Sequence, residues 1–593
     1  MKRFLSSFLA SLLALIVFFL ICFFLLLGIV GGLTMTTKKV SVESGSWLVM
    51  DLSKPLLEQE LQNPLLVIAG KGQTTIMGLH DVVRAIHQAA HDQRIAGIYL
   101  KLGETPNGFA TAEEIRNALE DFKHQSHKPI YAYGDIASQR AYYMASVADS
   151  IFLNPQGVFE FRGFAVRLAF LKGLLDKLEI KPQIFYQGKY KSATEPFRLT
   201  RMSEANRIQT TAFLQDFYRH FLNGIALARN LDTAALARYA AQGVIQQPVD
   251  AVKLHLIDGV KYDDQMQETL KRAVQLGEDE RLHTITISNY WKAIADSVHG
   301  QGAGQPAIAL IYAQGEIIDG SAENQPGDQV IAADDYIKWI REVRRDDRVK
   351  AIVFRVNSPG GSALAADKIW RELYLARKQK PVVVSMGDYA ASGGYYISCM
   401  ADSIFIQPNT LTGSIGVFTI IPNLQDFFQH KLGVSFDGVK TAPLADMGTI
   451  DQPLTDVEKK WIQNQIDTVY ATFCQRVAQG RHMPVALVDS LAQGRVWSGL
   501  AAVQNGLADR IGGLDDALQC AASMSHLKTY RLEEYPPVKN PIQKIIESFN
   551  EELTTSRLKA TLGNYYPLLQ QWSELKSAMG TPQARLPFWI FLP

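Results

Sequence analysis

One segment of this chain is written twice. Residues 134–152 read GDIASQRAYYMASVADSIF and residues 387–405 read GDYAASGGYYISCMADSIF, identical at ten of nineteen positions without a gap. The match continues outward. DQRIAGIYLKL at 92–102 lies over DDRVKAIVFRV at 346–356, and AVKLHLID at 251–258 over AVQNGLAD at 502–509, so the offset stays between 251 and 254 residues. Self-similarity at a fixed distance implies two homologous units that fold alike. A length of 593 residues is in any case too great for one hydrophobic core. The polar, glycine-rich stretch HGQGAGQP at 299–306 precedes the apolar run AIALIYAQG and marks the joint. The expected division is a front unit over 39–302, a rear unit over 303–540 and an extension over 541–593.

Each unit alternates short runs rich in Val, Ile and Tyr, such as AIVFRV and PVVVSM, with amphipathic stretches such as AADKIWRELYLARKQ. The short runs are nearly continuous in apolar residues, which suits strands buried on both faces of a sheet covered by helices. The fold class expected is therefore α/β, in two tandem domains.

Ahead of them, Lys2 and Arg3 precede residues 4–37, which carry no charge. That run is long enough to span a bilayer and longer than the apolar core of a cleaved leader, so residues 1–38 read as a transmembrane helix that anchors the chain to a lipid bilayer. The slight excess of positive charge at the start favours a cytoplasmic N-terminus, with the rest of the chain outside the cytoplasm. The terminal LPFWIFLP is too short to span and reads as a tail packed on the body or in an oligomer contact. A formal net charge of +1 gives no field for a polyanion, so no nucleic-acid partner is expected. Cys399, Cys474 and Cys520 are odd in number and lack metal spacing, so neither a structural disulfide nor zinc is expected.

The chemistry concentrates where the two copies differ. Ser392 follows an apolar strand in GDYAASGGYY, and its small neighbours leave room for a peptide backbone; the front copy has Gln139 there. If SGGYYISCM opens a helix, the Gly393 N–H in its first turn is free to meet negative charge. NSPGGSA at 357–363 supplies a glycine turn, with Gly360 as a second donor; two such donors are what acyl transfer needs at the carbonyl oxygen. A serine nucleophile also needs a base, and no histidine lies between Ser392 and His430. Lysines occur in YQGKYKSATEPFR at 186–198, whose rear counterpart is SFDGVKTAPLADM; aligned on Gly188 and Gly438, Lys191 falls opposite Thr441. The rear unit thus keeps a serine without a lysine, and the front unit a lysine without the serine.

These motifs, NSPGGSA, GDYAASGGYYISC, GSIGV and GKYKSATEPF, resemble those of the signal peptide peptidase A, or protease IV, family of the long tandem-domain bacterial kind. The resemblance covers nearly the whole chain. It implies Ser392 as nucleophile, Lys191 as general base and Ser414 as a serine that hydrogen-bonds the lysine. It further implies crotonase-like domains related to the Clp protease subunit, a homotetramer, no cofactor or metal, remnant signal peptides as substrates, and residence in the bacterial inner membrane with the bulk of the chain in the periplasm.

A dyad of this kind has a physical requirement of its own. A free lysine with a pKa of about 10.4 is neutral in only about one molecule in 2,500 at pH 7, so it must be buried against apolar groups to act as a base. Apposing the two units would achieve this and assemble the dyad together. Alternatives at single positions are Lys189, which in an extended strand faces the same way as Lys191, and Ser414 as an ordinary turn serine. Tyr395, Tyr396, Asp388 and Asp402 have counterparts in the front copy, which lacks the serine, and so read as structural. Two other functions compete: an acyl-CoA enzyme on a crotonase fold, and a membrane scaffold or chaperone in which the pair is vestigial.

Overall fold

A computed structural model describes residue 8 and residues 11–21, 40–62, 75–277, 279–299, 304–322, 329–537 and 581–586. Residues 11–21 are helical and exposed. Among the described residues no helix is long and apolar enough to cross a membrane; most of the expected anchor lies outside them.

Duplication in the sequence is duplication in the sheet. The front unit holds six parallel strands in the order Gly259–Val260, Ser150–Phe159, Ile130–Ala137, Ile95–Lys101, Ser46–Asp51, Thr284–Thr286. The rear unit repeats that order with Arg510–Ile511, Ser403–Ile406, Val382–Ala391, Val349–Ser358, Ala307–Gln314 and Arg531–Tyr535, again parallel. The central strands are largely apolar because helices cover both faces; Val353, Val383 and Phe354 are fully buried. The copies also share small details. Tyr142 Oη donates to Leu256 O and Tyr395 Oη to Leu507 O, at 2.7 and 2.9 Å.

In the rear unit Val382–Ala391 forks, pairing first with Ser403–Ile406 and then, near its C-terminal end, with Leu411–Gly413. The fork delivers the strand's end to the junction between the units. A third sheet runs across that junction. Its strands are Val330–Ala332, Glu316–Ile318, Gly360–Ser362, Gln583–Arg585, Val417–Asn423 and Lys181–Gln187, so the front unit, the rear unit and the C-terminal extension all contribute. Lys181–Gln187 pairs antiparallel with Val417–Asn423 at seven positions. Beneath them Leu175, Ile180, Ala193 and Phe197 of the front unit pack with Phe418 and Ile420 of the rear.

Polar contacts hold the same junction. The fully buried Arg355 meets Glu58 at 2.7 Å and Glu114 at 2.6 Å, both from the front unit. Asp388 accepts the N–H groups of Ala110 and Thr111, which open the front helix Phe109–Ser126. That carboxylate is a structural cap, and Asp402, which accepts from Val382 N–H and Arg377, is structural too.

Candidate active site

Ser392 stands where Val382–Ala391 turns into the short helix Gly393–Ser398. Its N–H donates to Gly413 O at 2.7 Å and its carbonyl accepts from Tyr396 N–H at 2.8 Å. Holding both bonds puts Ser392 at φ +55°, a conformation that costs a residue with a Cβ free energy and that the surrounding structure must enforce. The hydroxyl is thereby fixed at a sharp strand-to-helix turn inside the junction.

Lys191 comes from the other unit. The strand Lys181–Gln187 carries the chain along Val417–Asn423 and then turns at Gly188, φ +116°. Tyr190 N–H donates to Gln493 O at 2.7 Å, which pins the turn to the rear unit. The Lys191 side chain is 1 % exposed, and its Nζ lies 2.9 Å from Ser392 Oγ, 3.1 Å from Ser414 Oγ and 3.2 Å from Ser414 O. Burial holds its pKa well below the ordinary lysine value, and the positive charge of Arg585 acts in the same direction. Lys189, by contrast, is exposed beside the Tyr190 ring.

Two glycines make room for this lysine. A Cβ on Gly494 would stand 2.6 Å from Lys191 Cβ, and one on Gly416 would stand 3.1 Å from its Cδ. Neither was singled out in the sequence, although AQG occurs at both 241–243 and 492–494 at the repeat's own offset. Ser414, at φ +49°, is a turn residue whose hydroxyl nevertheless reaches the lysine.

The Gly360 N–H, expected to face a ligand, has a partner within the chain. Gly360 N–H donates to Ser358 Oγ at 3.1 Å and is therefore engaged within its own turn. Gly361 is the neighbour whose nitrogen approaches the start of the serine helix, 3.2 Å from where a Cβ on Gly393 would stand. Gly360 instead supplies clearance, since its own Cβ would come 2.8 Å from the Gly393 nitrogen. Tyr395 and Tyr396 point away into the core.

A buried amine with a lowered pKa, within hydrogen-bonding reach of a strained serine and beside converging glycine amides, has the parts needed to deprotonate a hydroxyl and stabilise a carbonyl oxyanion. The comparisons agree. The model of peptidase family S49 matches twice, at residues 122–277 and 375–528. The chain belongs to peptidase family S49. It is 35 % identical over 532 residues to Protease 4 of Salmonella typhi, covering 86 % of this chain and 84 % of that protein. Protease 4 of Haemophilus influenzae is 35 % identical over 78 % of this chain and 75 % of its own length. The chloroplastic serine protease SPPA of Arabidopsis thaliana is 34 % identical over 74 % of this chain and 64 % of its own. This S49 protein is thus a tandem-domain serine protease of the protease IV type, and the acyl-CoA and scaffold alternatives fall away.

Proposed function

We propose that this protein is a membrane-anchored endopeptidase that uses a Ser392/Lys191 dyad to degrade remnant signal peptides after their release from precursors. The observation that carries the reading is the 2.9 Å approach of a fully buried Lys191 Nζ to Ser392 Oγ. In the neutral state favoured by burial, Lys191 takes the Ser392 proton as Oγ attacks the peptide carbonyl, and later gives it to the leaving amine. Ser414, through both its hydroxyl and its carbonyl, orients the amine. The Gly393 and Gly361 amides receive the oxyanion, with Gly360 keeping the approach open. Water then hydrolyses the acyl-enzyme.

Small residues around Ser392 suit apolar peptides, and the uncharged run at residues 4–37 suits an anchor that concentrates the enzyme at a membrane holding such peptides. The location proposed is the bacterial inner membrane, with the two crotonase-type units in the periplasm. Assembly as a homotetramer draws support from the repeat. The counterpart of the cross-unit strand Lys181–Gln187 is the rear segment 431–437, where Leu432, Val434 and Phe436 are 56, 43 and 56 % exposed. The counterpart of Val417–Asn423 is 164–170, which forms no strand. Pairing one chain's 431–437 with the next chain's 164–170 repeats between chains the contact made within each.

The test is hydrolysis of a signal-peptide hydrophobic segment in detergent. Ser392→Ala and Lys191→Ala should each reduce the rate to background while leaving the thermal midpoint near or above that of wild type. Activity persisting in the double variant would remove the dyad.

A further inference from the structure

We infer that a cavity between the two units is a binding subsite for the leaving side of an extended, uncharged peptide, with the Asn409 side chain reading the peptide backbone; this rests on the peptidase reading of Ser392 and Lys191. The cavity, of about 400 Å³, takes its walls from both units, among them Leu56, Phe109 and Arg140 of the front and Tyr389, Asn409 and Leu411 of the rear. Ligand sites commonly measure about 300–1,000 Å³.

Unpaired polar atoms single this cavity out. Asn409 is 2 % exposed, and among the described residues neither its Oδ1 nor its Nδ2 has a partner. Arg140 Nε is buried without one as well. Leaving such groups unpaired costs free energy, so a buried carboxamide normally has partners. The fold does not impose this one, since its front-unit counterpart, Gln156, is exposed. A free carboxamide matches one peptide unit, giving Nδ2–H to the carbonyl and accepting the N–H at Oδ1. Arg140 Nε–H can donate to a second carbonyl. A charged ligand fits less well. Asp388 and Glu58 also line the cavity, but Asp388 is satisfied by the Ala110 and Thr111 N–H groups and the Thr111 hydroxyl, and Glu58 by Arg355 and Asn357. Arg140 in turn feels the opposite charge of Asp388, so neither sign is left in surplus.

The polarity of the cleft decides which end of a substrate arrives here. Gln583–Arg585 lies antiparallel to Gly360–Ser362, with Ser362 opposite Gln583 and Gly360 opposite Arg585, and Leu586 N–H donates to Pro359 O at 2.7 Å. A peptide that adds to this edge in the same sense carries its C-terminal side past Pro359 toward Asn357, which lines the cavity. Leu586 already belongs to the buried front-unit cluster that holds Phe109 and Leu411. Tyr389 precedes Ser392 by three residues, about 10 Å of extended chain, so a substrate reaches the cavity a few residues beyond the bond that is cut.

The repeat shows where the wall came from. Asn107 stands where the rear unit has Gly360, and Arg140 where it has Gly393. In the front unit these two meet, Arg140 Nη1 donating to Asn107 O at 2.5 Å, while the Asn107 side chain donates to Lys54 O and accepts from Leu56 N–H. The copy without the serine thus carries side chains at its glycine positions, and they shape the cleft of the other copy.

The test gives full-length protein in detergent two substrates. One is a coumarin amide of an apolar peptide, with no residue beyond the bond cut; the other is an internally quenched peptide in which the same apolar sequence is followed by four uncharged residues. Asn409→Leu should lower kcat/KM on the longer substrate relative to the shorter by about tenfold, the worth of one or two hydrogen bonds. Its thermal midpoint should stay at or above that of wild type, because an unpaired buried amide has been removed. Leu56→Trp, which fills the cavity from its rim, should lower the same ratio. A ratio that Asn409→Leu leaves unchanged, with or without a loss of stability, overturns the subsite and leaves the peptidase reading standing. A wild type that cleaves neither substrate removes both.

Discussion

Gly494→Ala should disable the enzyme by displacing Lys191, without touching either member of the dyad. A Cβ at position 494 would lie 2.6 Å from Lys191 Cβ, 2.6 Å from its backbone nitrogen and 2.7 Å from its Cα. Carbon atoms rest at about 3.5–4.0 Å, so the two chains must separate by about 1 Å. The lysine turn cannot absorb this alone, because Tyr190 N–H is bonded to Gln493 O, the residue before the substitution. A misplacement of about 1 Å in a reacting group costs on the order of 100-fold in rate. The backbone also contributes. Gly494 sits at φ +73°, and an L-residue there costs about 1–2 kcal/mol. The repeat supplies the control for that second effect: Gly243, the equivalent position in the front unit, sits at φ +59° with nothing within 4 Å of its would-be Cβ. Gly243→Ala should therefore lose about 1–2 kcal/mol of stability in urea unfolding and keep its kcat/KM. Gly494→Ala should lose at least as much stability and about 100-fold in kcat/KM, measured on the signal-peptide hydrophobic segment at a temperature where both variants are folded. If both lose activity equally, or if Gly494→Ala stays within about threefold of wild type, the claim that this glycine positions the lysine is refuted.

Further outcomes follow from burial at the junction. The Lys191 pKa is depressed in the folded chain by burial, so between that value and the ordinary value of about 10.4 the unfolded chain binds the extra proton and stability climbs with pH. Lys191→Met should remove this slope, exceeding wild type in thermal midpoint at neutral pH by a margin that narrows toward pH 10. In wild type, kcat/KM should rise with pH as Lys191 loses its proton; a peptide-cleavage profile that falls instead contradicts a neutral-lysine base. Arg355→Met would strand Glu58 and Glu114 as buried charges and should cost about 3–5 kcal/mol in urea unfolding. Arg348→Met, which breaks the surface pair with Asp346, should leave the transition nearly where it was.

What could be read from the chain and what could not divide along physical lines. The repeated sheet was legible because parallel strands buried on both faces need uninterrupted apolar runs, and those runs recur at the repeat's offset. The lysine was legible because aligning Gly188 with Gly438 exposes Lys191 against Thr441. The partner of Lys181–Gln187 was not, since half-buried strands in either unit read alike and only tertiary contact selects Val417–Asn423. The engagement of the Gly360 N–H by Ser358 Oγ was not legible, because the motif does not encode which way that hydroxyl turns. QARL at 583–586 carries no strand signal, since Pro582 and Pro587 flank it. It pairs regardless, because Pro582 and Pro359 serve only as acceptors in the ladder.

The repeat also shows why the lysine and the serine sit on different units. Within one chain the rear counterpart of the lysine segment has no partner unit over it, and there Phe436 is 56 % exposed and Val439 wholly so. An amine at Thr441 would stand in solvent in the single chain, and a neighbouring chain paired there through its 164–170 would bring Gln139, not a serine, to that side. Lys191 occupies the equivalent position under Val417–Asn423, Gln493 and Gly494, and all of that cover belongs to the other unit. Neither copy by itself can both present this amine and dehydrate it. Once the two are joined, the contact that brings a lysine in the front segment to the rear serine also buries it and lowers its pKa, while a lysine in the rear segment would meet no serine. The pair therefore closes within one chain only with the lysine on the front unit and the serine on the rear, which is how this chain carries them.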